Sequence, residues 1–198
     1  MGFFDRFKPK PSQPGCPPEL IEELSRAIID GFVEGEFATR LPSNVVLKKG
    51  ERLIIDIPNV VLAEERAKTR GSYGGLTIRI ARGFSVHTGG FEGARETSLV
   101  RIDEGSFALT NKRLVFTGAS QTRNFKLSTI NSFVLADDGI GINRGSKTKT
   151  EYYLGTTQVV MLYTMEPEEH DDWAPTTVEW ELEGRHIQEI IQRLIQGP

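Results

Sequence analysis

Apolar and polar residues alternate in short runs through the middle of the chain, most clearly between Asp103 and Gly118. Ser106–Leu109 places Phe107 and Leu109 on one face, and Arg113–Phe116 does the same with Leu114 and Phe116. Asp103-Glu104-Gly105 before them and Thr110-Asn111-Lys112 between them carry turn chemistry, because Asp and Asn bond their own backbone and Gly accepts positive φ. The pattern predicts a hairpin with one apolar face.

Further strand-like runs are Leu53–Ile57, Val60–Ala63, Leu76–Ile80, Phe84–His87, Thr97–Ile102 and Thr122–Leu127. Ser132–Ala136, Gly139–Asn143, Glu151–Leu154, Gln158–Tyr163 and Thr177–Glu183 continue the series. Pro58 has no N–H to give to a ladder, so it marks an edge, a bend or a break.

Two segments follow the helical period instead. Leu20, Ile21, Leu24, Ile28, Ile29 and Phe32 recur at three- and four-residue steps, with Pro18 suited to the first turn and Glu19, Glu22 and Glu23 near the positive end. Near the C-terminus, His186–Gln196 carries Ile187, Ile190, Ile191 and Leu194 on one face. Many short strands with frequent turns, and no long helices between them, point to a sandwich or barrel rather than a doubly wound parallel sheet. The expected class is α+β, mainly β.

The 198 residues suit one domain with appended segments. Residues 1–18 read as a Phe- and Pro-rich tail, 19–43 as a helix and connector, and 44–198 as the domain. A net charge of −3 argues against non-specific nucleic-acid binding, which needs a basic surplus. Cys16 is the only cysteine, which excludes an internal disulfide framework and most thiolate metal sites. No apolar run approaches the ~20 residues needed to cross a bilayer, and the start does not resemble a signal peptide. A cytoplasmic location is expected, peripheral at the inner face of the membrane where lipid is the partner.

Catalytic groupings do not emerge. His87, His170 and His186 lack neighbours at metal-ligand spacing, and Glu168, Glu169, Asp171 and Asp172 form an acidic loop without a calcium-loop pattern. Ser85, Ser106 and Ser128 stand in no nucleophile elbow. The glycine-rich stretches at 71–75 and 89–93 lack the Lys and Ser/Thr of a phosphate loop. A non-enzymatic protein with neither metal nor cofactor is expected.

Basic clusters are more informative. Arg66, Lys68 and Arg70 alternate, so an extended backbone puts them on one side. Arg79 follows downstream, and Arg144, Lys147 and Lys149 make a second basic turn. Sharing one end of a sheet, the two loops would form a positive mouth for an anionic partner. Exposed loops also carry Lys and Arg for solubility alone. Phe3, Phe4 and Phe7, beside Arg6, Lys8 and Lys10, suit contact with a membrane surface or a partner chain.

Several of these motifs together resemble the bacterial PH-like, GRAM-like domains. They are Tyr73-Gly74-Gly75, the run Arg79–Gly83, Thr88-Gly89-Gly90, Gly105 with Leu109–Phe116, and Asp138-Gly139-Ile140-Gly141-Ile142. The resemblance implies a PH-like barrel of two near-orthogonal antiparallel sheets capped by the C-terminal helix. It also implies a binding platform for phospholipid headgroups or protein segments, with Arg66, Lys68 and Arg70 in the place where family members keep basic residues. Some members resemble oligomeric assemblies, so a self-assembling structural protein is the alternative expectation.

Overall fold

The computed structural model describes residues 17–37, 43–67, 97–145, 149–167, 173 and 175–197. The expected strands Leu76–Ile80 and Phe84–His87 lie outside these residues. Helix α1 (Pro18–Glu34) comes first, then β1 (Leu53–Ala67), β2 (Thr97–Thr110), β3 (Arg113–Gly118) and β4 (Thr122–Lys126). A 3-10 turn at Leu127–Thr129 leads to β5 (Ile130–Ala136), β6 (Gly139–Arg144) and β7 (Glu151–Leu154). Strands β8 (Val160–Met165) and β9 (Thr176–Glu181) and helix α2 (Gly184–Gln196) complete the chain. Among the described residues the protein is mainly β, with two antiparallel sheets and two helices.

The larger sheet has seven strands in the order β4-β3-β2-β1-β7-β6-β5, and β8 pairs with β9 in a separate ribbon. No ladder joins β4 to β5 among the described residues, so the expected closed barrel is absent there. The 3-10 turn carries the chain from one edge of the order to the other, and α2 packs on β5, β6 and that turn. Helix α2 therefore covers the core beside the β5 edge, where a closing ladder would start.

Strand β1 is long because Leu53–Ile57 and Val60–Ala63 are one strand, not two. The register with β2 shifts between Ile57 and Val60, where Asn59 takes φ 56°. The β1–β7 ladder starts only at Val61↔Leu154, so Pro58 meets no ladder from that side. Its carbonyl instead accepts a 2.7 Å hydrogen bond from Gln158 Nε2. Of the edge, bend or break expected at Pro58, the structure shows a bulge in a central strand.

The hairpin forms with Phe107 opposite Phe116 and Leu109 opposite Leu114, all fully buried. Asp103-Glu104-Gly105, expected as a turn, lies inside β2 instead. Asp103 supplies turn chemistry to a distant turn: its Oδ2 accepts the N–H groups of Ser120 and Gln121, each at 2.7 Å. The Ser120 bond leads in holding its carboxyl below the usual range, with Glu104 and Gln121 adding to it. Gly105 is required by close packing, since a Cβ there would collide with the Thr117 carbonyl.

One core joins the sheet to both helices. Ile28, Ile29 and Phe32 of α1 meet Ile54, Ile57 and Leu62 of β1, Ile140 and Ile142 of β6, and Ile187, Ile190 and Ile191 of α2. Each such side chain contributes roughly 1.5–3 kcal/mol on burial. Trp180 ties the smaller ribbon in, donating to Ser25 Oγ at 3.1 Å and stacking on His186 at 4.5 Å. Gly184 opens α2 where a Cβ would strike the Gly139 carbonyl, so the helix start presses directly on the β5–β6 turn.

Candidate functional site

The pairing of β1 with β7 decides where the basic loops sit. The ladder runs antiparallel through Glu64↔Glu151, so the C-terminal end of β1 lies beside the N-terminal end of β7. β6 pairs with β7 through Ile142↔Glu151, which brings Arg144 to the same end. The β1–β2 and β6–β7 connections therefore leave the sheet together. Arg66, opposite Ser98 on β2, and Lys149 are both exposed there, with no ion-pair partner among the described residues. Lys68, Arg70, Arg79 and Lys147, and also Phe3, Phe4 and Phe7, lie outside the described residues.

Arg144 occupies a different environment from its two basic neighbours. Its side chain is only 13% exposed, its Nη2 bonds Glu151 Oε2, and its guanidinium sits 3.9 Å over the Phe125 ring. Glu151, at 3% side-chain exposure, uses its other oxygen to accept from Arg123 Nε at 2.7 Å. Arg123 Nη2 also reaches Glu64 Oε1 at 3.3 Å. Burial opposes the Arg123 charge, but the bonds to Glu151 and Glu64 more than offset it and raise its pKa.

The four charges belong to strands β1, β4, β6 and β7, so the network clamps the sheet across its width. Glu64 follows Leu62, Arg144 follows Ile142 and Glu151 precedes Tyr153, each at the two-residue step that keeps a strand side chain on one face. The network thus closes one end of the main core. Tyr153 lies beneath it against Phe107 and Phe116, and burial pushes its hydroxyl pKa well above the ordinary phenol value. On the opposite face, Tyr152 donates to Glu65 Oε1 at 2.5 Å.

Glu64, Arg123 and Glu151 did not stand out as site residues in the sequence. The available signal was Glu151 itself, one carboxylate opening the otherwise apolar strand Glu151–Leu154, whose four residues are all buried. A buried charge at such a position implies a partner.

A second network lies at the opposite end of β1 and serves the scaffold. Arg113 Nε donates to Glu51 Oε1 at 2.6 Å, Thr110 Oγ1 donates to the same oxygen at 2.8 Å, and Lys48 N donates to Oε2 at 2.8 Å. The Arg113 bond leads in lowering the Glu51 pKa to about 2. His186 is also structural. Its Nδ1 accepts from the Glu183 backbone N–H at 3.2 Å, and burial lowers its pKa to about 4.

Among the described residues, no group of three or more His, Cys, Asp or Glu could hold a metal ion, and no helix is long and apolar enough to cross a membrane. No family model, curated protein or solved structure matches the chain.

Proposed function

We propose that the protein is a non-enzymatic PH/GRAM-like binding module that engages an anionic membrane surface through the end of the sheet bearing Arg66 and Lys149. One observation carries the reading: the antiparallel Glu64↔Glu151 pairing sets the stems of both basic connections side by side. Arg66 and Lys149, one from each basic stretch of sequence, then act as one patch despite the net charge of −3. The strand order supports the PH-like scaffold, with β1 as the hub between β2–β4 and β5–β7 and α2 as the cap. Such a module works as a cytoplasmic protein held peripherally at the inner leaflet.

The test is co-sedimentation with phosphatidylserine vesicles, comparing wild type with Arg66→Ala/Lys68→Ala/Arg70→Ala. Basic residues near an anionic surface are worth ~1 kcal/mol each, so the triple change should weaken binding about a hundredfold. Equal, negligible sedimentation of both proteins would sink the reading.

A further inference from the structure

Resting on the reading above, we infer that Glu64 and Glu151 are internal counter-anions that attenuate the basic end and leave surface binding to its exposed cations. Arg123 and Arg144 are the two guanidiniums built most firmly into this end, and both are already committed to carboxylates. Glu151 gives one oxygen to each, and Glu64 adds a second contact to Arg123. Two acids cancel two arginines in a poorly hydrated setting, where side-chain exposures run from 3% to 17%.

This arrangement selects the kind of ligand. A single phosphate seeking a bidentate guanidinium finds every nitrogen of Arg123 already bonded, and finds Arg144 holding Glu151 through Nη2 with its Nε buried, so it would have to displace a buried carboxylate. Arg66 and Lys149 remain exposed and unpaired among the described residues, and they respond to the field of many anionic headgroups at once. The partner class is accordingly an extended anionic lipid surface rather than one pocketed phosphate group.

Glu64→Gln is the direct probe, because it removes one counter-anion while leaving Arg123 bonded to Glu151. Glu22→Gln, at an exposed position of α1, makes the same change in total charge on a different element. Wild type, both single variants and the Arg66/Lys68/Arg70 triple variant are compared on phosphatidylserine vesicles, with inorganic phosphate as competitor and thermal melts to verify folding.

The expected result is about fivefold tighter vesicle binding for Glu64→Gln, the worth of one charge at such a surface, and no change for Glu22→Gln. Inorganic phosphate at matched ionic strength should not displace wild type. If wild type binds, the triple variant does not, and Glu64→Gln behaves as Glu22→Gln, the inference fails while the functional reading stands. Displacement of wild type by inorganic phosphate would also overturn it. Wild type no better than the triple variant removes the functional reading and the inference together.

Discussion

Glu151→Ala is expected to cost about 3–5 kcal/mol of folding stability at neutral pH, read from the shift in a urea or guanidinium unfolding curve. The carboxylate is nearly inaccessible and serves Arg123 and Arg144 together. Its loss leaves Arg144 with the Phe125 ring as its main compensation, and Arg123 with Glu64 and the Gln121 side chain. An uncompensated charge of that kind costs far more than the pair itself contributes. Arg26→Ala offers the contrast. Its 3.7 Å bridge to Glu22 joins side chains that are 66% and 74% exposed, so its removal should cost under about 0.5 kcal/mol. A Glu151→Ala protein within about 1 kcal/mol of wild type would show that the network does not clamp the sheet.

Acid should destabilise the protein in two successive windows. His186 holds a folded pKa of about 4 against an ordinary 6.5, because burial beside Trp180 disfavours the charged ring, with Arg185 adding to the effect. The unfolded chain therefore binds the extra proton, and stability present above pH 6.5 is lost as pH falls toward 4. Glu51 behaves as a depressed carboxylate, its pKa about 2 against 4.5. Its contribution is intact above pH 4.5 and disappears between 4.5 and about 2. Each shift corresponds to roughly 3 kcal/mol. Unfolding free energies measured from pH 8 to pH 3 should fall steadily below 6.5, and His186→Gln should flatten the upper window alone. A wild-type profile flat between pH 6.5 and 4.5 would contradict the assignment to His186.

Local pattern and tertiary reach separate what the sequence reveals from what it conceals. The hairpin turn at Thr110–Lys112, strand β7 and the apolar faces of both helices were legible, because periodicity and turn chemistry act within a few residues. Asp103–Gly105 was misread for a physical reason. Its aspartate caps a turn at Ser120 and Gln121, and its glycine makes room for the Thr117 carbonyl, so both residues answer to a neighbouring strand. Arg66, Arg144 and Lys149 were visible as cations, yet it is the β6–β7 pairing that neutralises Arg144 on Glu151, and the β1–β7 register that sets exposed Arg66 beside exposed Lys149. That register depends on pairing residues 87 positions apart, as in the Tyr152–Glu65 bond, which no local pattern encodes.

The proposed function requires that one end of the larger sheet meet an anionic membrane. Amide hydrogen exchange of the wild-type chain, with and without phosphatidylserine vesicles, tests it by location. Added protection should concentrate on the end of β1 at Glu64–Ala67, the start of β2 and the β6–β7 stems around Arg144 and Lys149. Protection confined to α1 or to the β8–β9 ribbon in a vesicle-bound protein would contradict the claim.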